Sequence, residues 1–129
     1  MYAEADYVVN ALPYTPDTLN FFSMESCFSK MKPGAVFMNV GRGSTVNEPD
    51  LITALKNGML SGAALDVFAQ EPLPQDSELW SLPNVLIYPH TSCKSDVAVD
   101  NLLEIAAENI LLFKKGQPLK YVCDKRIGY

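Results

Sequence analysis

Apolar residues along this chain gather in four short continuous runs, each cut off by proline, glycine or asparagine. Tyr7-Val8-Val9-Asn10-Ala11-Leu12 stops at Pro13, and Ala35-Val36-Phe37-Met38-Asn39-Val40 opens after Pro33-Gly34 and closes at Gly41. Ala63-Ala64-Leu65-Asp66-Val67 and Val85-Leu86-Ile87-Tyr88 are shorter versions, the second bracketed by Pro83-Asn84 and Pro89. Continuous rather than alternating apolar character predicts strands covered on both faces. Helical periods lie between and after them. Asn47 can cap a helix with Glu48, Pro49 and Asp50 in its first turn, Leu51, Ile52 and Leu55 on its apolar side and Gly58 past its end. A longer helix is expected from Ser95 and Asp96, with Val99, Leu102, Leu103, Ala106, Ile110 and Phe113 on one stripe. Lys114, Lys115 and Gly116 end it, before Pro118. The segment from Thr18 to Met31 also reads as mostly helical, with Phe21, Phe22, Met24, Phe28 and Met31 as apolar contacts.

Strands alternating with helices predict an α/β fold: a partial Rossmann-type parallel sheet of about four strands with right-handed crossovers, flanking helices and a long C-terminal helix. In such sheets a ligand lies beyond the carboxyl ends of the strands. Asn10 to Pro13, Gly41-Arg42-Gly43, Asp66 and His90 all fall at or just after strand ends, so one sheet edge collects the chain's suspicious polar residues.

Composition narrows the function classes. A length of 129 residues with 48% apolar content fits one ordinary soluble domain. A formal charge of −5 argues against a nucleic-acid surface, since only Lys114-Lys115 and the tail from Lys120 to Arg126 are locally basic. No run approaches the length needed to span a bilayer, and the acidic Met1 to Asp6 is unlike a signal peptide, so a cytoplasmic protein is expected. Three widely spaced cysteines, Cys27, Cys93 and Cys123, fit neither a disulfide framework nor a zinc site, and no metal is expected.

Arg42 is one of two arginines and sits between glycines, which let the backbone turn sharply, and its planar fork of donors suits a carboxylate; a surface arginine in a strand-to-helix turn is the plainer alternative. His90, the only histidine, follows a strand and a proline and could exchange protons near neutral pH. A lone histidine is more often structural, but Glu71, fixed by Pro72, could accept its other ring N–H and set the tautomer. Taken alone, Glu71 reads as a solvated loop acid. Asp66 stands in an apolar strand, where an unpaired carboxylate is costly, so it should meet a backbone turn or a ligand amide. Trp80 reads as a packing aromatic, and Tyr14, Thr15 and Thr18 could line a groove or simply form a polar loop.

Leu12-Pro13-Tyr14-Thr15-Pro16-Asp17-Thr18, Met31-Lys32-Pro33-Gly34-Ala35, Asn39-Val40-Gly41-Arg42-Gly43, Ala64-Leu65-Asp66-Val67-Phe68 with Glu71-Pro72-Leu73, and Pro89-His90 closely resemble the D-isomer-specific 2-hydroxyacid dehydrogenases. Leu79-Trp80 and Gly128-Tyr129 look most like the glyoxylate/hydroxypyruvate reductase group. The resemblance implies an oxidoreductase moving hydride between NAD or NADP and a small 2-keto or 2-hydroxy acid. By the same likeness Arg42 grips the substrate carboxylate, His90 protonates the carbonyl oxygen and Glu71 supports His90, where the related formate dehydrogenases carry a glutamine. Asp66 matches the residue holding the nicotinamide carboxamide, while Leu12, Pro13, Thr18, Val40, Gly41, Arg42, His90, Ser92 and Cys93 match cofactor-contacting positions.

The sequence departs from that family in one respect. It has no Gly-x-Gly-x-x-Gly turn for a pyrophosphate, and its first strand resembles the fourth strand of the full sheet. The whole chain, 1–129, then reads as the C-terminal part of a NAD(P)-binding domain, with a tail from about residue 117 that would return to a substrate domain. Three functions stay open: an active part of a reductase, a catalytically incompetent truncated relative, and a dinucleotide-sensing corepressor-like protein, which would need a peptide groove. Segment 7–12 should be an apolar edge strand seeking a partner, predicting a homo-oligomer, a complementing partner chain or a poorly soluble fragment.

Overall fold

The computed structural model describes residues 1–126, and the chain divides into two compact units, Met1–His90 and a second beginning at Thr91. The first unit holds the sheet. Strands β1 (Tyr7–Asn10), β2 (Ala35–Asn39), β3 (Leu60–Leu65) and β4 (Val85–Ile87) lie side by side in chain order, all parallel. Helix α1 (Glu48–Lys56) crosses from β2 to β3, and the second unit contains α2 (Ala98–Lys114). This is the α/β sheet that the apolar runs predict. Three of the strands are shorter than their runs, while β3 starts three residues before its run, at Leu60, and ends two residues short of Val67. The run 7–12 yields a strand only to Asn10, because the Leu12 N–H turns back to the Asn10 side-chain oxygen at 2.9 Å instead of joining the sheet.

One face of the sheet carries the core. Phe37, fully buried, packs against Phe22 and Phe28 with ring centroids 5.3 Å from each. Leu51, Ala54 and Leu55 of α1 close over Leu60 and Ala63. Helix α1 starts where the cap was expected: the Asn47 side chain accepts from the Asp50 N–H, with acidic residues in the first turn. Buried Cys27 belongs to this core; burial pushes its thiol up to about 11, outweighing the Tyr2 hydrogen bond and the Lys30 charge, so it stays protonated and unreactive.

Expectation and structure part in four places. The other sheet face is open within this unit, where Tyr7, Val9 and Leu86 are more than half exposed, although their runs predicted cover on both sides. Segment 18–31 is not a helix beyond a single 3-10 turn at Phe28–Lys30. Asn20 takes a left-handed φ of 52°, Phe22 bridges Val46, and the Ser26 hydroxyl donates to the Phe21 carbonyl, so backbone groups that a helix would use are engaged elsewhere. Asp66 follows β3 rather than lying inside it. Helix α2 begins at Ala98, after a turn that closes from the Ala98 N–H to the Ser95 carbonyl, and its apolar stripe is not buried. The tail folds back along α2, with Asn109 bonded twice to the Lys120 backbone and Lys120 paired with Glu108. No described helix is long and apolar enough to cross a membrane.

Candidate active site

The carboxyl ends of β1 and β2 are tied by buried polar side chains. The Asn10 side-chain amide donates to the Asn39 side-chain oxygen Oδ1 (2.8 Å) and to the Thr45 hydroxyl (2.7 Å). Asn39 accepts from the Gly41 N–H and donates to the Arg42 carbonyl, which also accepts from the Thr45 hydroxyl at 2.6 Å. All three side chains are at most 1% exposed. Of these only Asn10 stood out in the sequence, and only for its place at the sheet edge. The signal was there nonetheless: Asn10 and Asn39 interrupt their apolar runs, and in the structure they end their strands and pair in register.

The Arg42 turn hangs from this network. Its flanking glycines were read as allowing a sharp turn, but neither Gly41 nor Gly43 has a left-handed φ. They are glycine because other backbone passes over them. A Cβ on Gly41 would lie 2.6 Å from the Leu12 carbonyl oxygen, and one on Gly43 only 1.9 Å from the Phe68 carbonyl. Arg42 itself is exposed, one guanidinium nitrogen donating to the Gly41 carbonyl at 2.8 Å and leaving its other donors for a ligand.

Phe68, which covers Gly43, also begins the loop that carries Glu71. The Phe68 N–H donates to one Glu71 oxygen (3.0 Å), the Ala69 N–H donates to Glu48 of α1, and the other Glu71 oxygen lies 2.8 Å from His90 Nδ1. Burial raises the Glu71 pKa, but the hydrogen bonds from His90 and Phe68 outweigh it, and the net result lies below the usual carboxylate value. An ionised carboxylate can only accept, so Nδ1 bears the ring proton and Nε2 is left for other chemistry. The backbone of His90 is set apart too, with φ of 53° and its N–H on the Asp66 carbonyl at 2.9 Å. A cleft of about 500 Å³ opens beside the pair, lined by Phe68, Glu71, Trp80, Tyr88 and His90.

The remaining candidates of the first unit are spread along this edge. Buried Asp66 joins the end of β2 through its N–H on the Asn39 carbonyl. Thr18 donates to the Pro13 carbonyl and closes a small loop with Thr15, next to Leu12, while Val40 is exposed after β2. Ser92 and Cys93 belong to the second unit, where Cys93 is exposed; Gly128 and Tyr129 lie outside the described residues.

Residues 1–92 match the family described as D-isomer specific 2-hydroxyacid dehydrogenase, NAD binding domain. The chain belongs to this family. It is 45% identical over 124 residues to a glyoxylate/hydroxypyruvate reductase B of Citrobacter koseri, covering 96% of this chain and 38% of that protein. It superimposes with a TM-score of 0.89 on the NADPH-dependent glyoxylate/hydroxypyruvate reductase of Sinorhizobium meliloti solved with NADP and sulfate (39% identity, 99% of this chain and 41% of that one). A D-isomer specific 2-hydroxyacid dehydrogenase of Xanthobacter autotrophicus, solved with NADPH and MES, gives 0.90 at 38% identity, over 99% of this chain and 52% of that one. The chain thus spans less than half the length of the curated relatives it matches, as the 38% of the Citrobacter protein shows.

For this dehydrogenase-family chain the fit to a dinucleotide divides in two. One part, the polar sheet edge with Asp66 and the Gly41 turn, offers groups suited to a nicotinamide. The pyrophosphate end does not fit: the sequence offers no glycine-rich turn, and the first turn of α1 holds Glu48 and Asp50, which repel an anion.

Proposed function

We propose that this chain supplies the carboxylate-gripping and proton-donating side of an NAD(P)-dependent reductase acting on small 2-oxo acids such as glyoxylate or hydroxypyruvate. The observation that carries the proposal is the 2.8 Å contact between Glu71 and His90 Nδ1, on the loop that packs over the Arg42 turn. Glu71 holds Nδ1 protonated, and His90 Nε2 delivers a proton to the substrate carbonyl oxygen when the ring is charged. Arg42 receives the substrate carboxylate on its remaining guanidinium donors and draws electron density from the adjacent carbonyl. Asp66, Leu12, Pro13, Thr18, Val40 and Gly41 line the cofactor side. A nicotinamide bound there would supply the hydride.

Oxamate, a non-reducible isostere of a 2-oxo acid, tests this. NMR titration of the chain is expected to shift the Arg42 and His90 side-chain signals, and Arg42→Ala is expected to abolish the response; shifts that survive in Arg42→Ala would refute the carboxylate role. Fluorescence titration with NADH or NADPH is expected to show no micromolar binding by this chain alone, since its sequence holds no glycine-rich turn for the pyrophosphate and the first turn of α1 is acidic. Micromolar binding with turnover of glyoxylate would show a self-contained dehydrogenase.

The outer edge of β1 supports a second part of the proposal. Tyr7 and Val9 stand exposed on a strand paired only with β2, and such an edge recruits another strand. Self-association through β1 is expected in size-exclusion chromatography, and a monomer at high concentration would count against it.

A further inference from the structure

We propose that Asn10, Asn39 and Thr45 are positioning residues that set the direction of Arg42 and couple it to the Leu12-Pro13 loop. The inference rests on the carboxylate-gripping role proposed for Arg42. Its basis is the polarity of the network. The Leu12 N–H can only donate, which fixes the Asn10 oxygen toward it at 2.9 Å and turns the Asn10 amide nitrogen toward Asn39 and Thr45. The Gly41 N–H in the same way fixes the Asn39 oxygen, leaving the Asn39 nitrogen for the Arg42 carbonyl. Thr45 accepts from Asn10, so its hydroxyl proton goes to the Arg42 carbonyl.

The donations therefore converge on the Arg42 carbonyl, from the Leu12 N–H through Asn10 and from the Gly41 N–H through Asn39, and that carbonyl collects the Asn39 amide, the Thr45 hydroxyl and the Thr45 N–H. With its carbonyl held, Arg42 keeps an extended backbone (φ −136°, ψ 139°), and that fixes where its Cα–Cβ bond points. The polar atoms of these side chains have no slack, since the described residues contain no buried side-chain polar atom without a partner. Shifting the Leu12 loop must then shift the arginine. A ligand that contacts that loop and an acid held by Arg42 would sense one another through Asn10.

The test compares near-isosteric changes. Thr45→Val removes the hydroxyl, Thr45→Ser keeps it, and Asn39→Asp keeps both acceptor contacts while replacing the donor to Arg42 with an oxygen. In oxamate titrations followed by NMR, Thr45→Val and Asn39→Asp are expected to weaken binding about tenfold, the effect of one lost hydrogen bond, and Thr45→Ser to bind like the parent. Equal affinity in folded Thr45→Val and the parent would overturn the proposal, as would an equal loss in Thr45→Ser. Hydrogen exchange at the Gly41 N–H needs no ligand: faster exchange in Thr45→Val but not in Thr45→Ser supports the coupling, and unchanged exchange refutes it. Should the parent chain bind no oxamate, the substrate reading fails while the exchange result still decides the positioning. Asn39→Asp answers the same question if Thr45→Val does not fold.

Discussion

The Arg42 turn and the Glu71–His90 pair share one sheet edge yet are held in opposite ways. The turn hangs from three side chains that water does not reach, and its glycines lie beneath the backbones of Leu12 and Phe68. The pair is joined by a single contact between half-exposed groups, His90 47% and Glu71 36% exposed at their side chains. A group that keeps its charge through a reaction gains from rigid anchorage. A group that must gain and lose a proton needs solvent and a partner that sets its tautomer without burying it. Gly43 under Phe68 is where the two constructions meet.

The sharpest way to break this contrast is at that meeting point. Gly43→Ala drives a methyl group into the Phe68 backbone, and urea unfolding is expected to show a loss of about 3 kcal/mol or more. A loss under about 1 kcal/mol would mean that the loop is not clamped to the turn. Next in size, Asn10→Leu strands the Leu12 N–H and the Asn39 and Thr45 acceptors, with an expected cost of about 2 kcal/mol. Glu71→Gln, by contrast, should cost less than about 1 kcal/mol in the same assay, because the ion pair is exposed. In any assembly of the chain that turns over glyoxylate, that same Glu71→Gln change should lower kcat while leaving KM for the acid almost unchanged, and Arg42→Ala should chiefly raise KM. Reversal of these two kinetic patterns would undo the division of labour.

Much of this was readable in the residues, and the reasons differ by element. Proline, glycine and asparagine mark off the runs that become β1 to β4, and Asn47 with Glu48 and Asp50 fixes the start of α1 locally. Segment 18–31 misled because its apolar spacing says nothing of Phe22 pairing with Val46 across more than twenty residues, a tertiary contact that overrides helical preference. Gly41 and Gly43 were flagged for the wrong reason: close approach by a distant backbone leaves the same residue type as a tight turn. Asn39 escaped notice, and Asn10 was singled out only for its place at the sheet edge, because a polar residue within an apolar run looks like a strand terminator until its neighbour strand shows another in register.

The acid/base reading stands or falls on whether Glu71 and His90 meet in solution, and a pH titration of the Glu71 side-chain carboxyl by NMR reads that contact directly. The predicted result is a midpoint below the usual carboxylate value, moving up in His90→Ala as the hydrogen bond and the ring's charge are removed. The sign of the stability effect follows: with the folded value depressed, the contact's contribution is full above the ordinary carboxylate pKa and is lost as pH falls through the lower folded value. An ordinary midpoint, unchanged in His90→Ala, would contradict the account, because Glu71 would then not be holding the histidine at all.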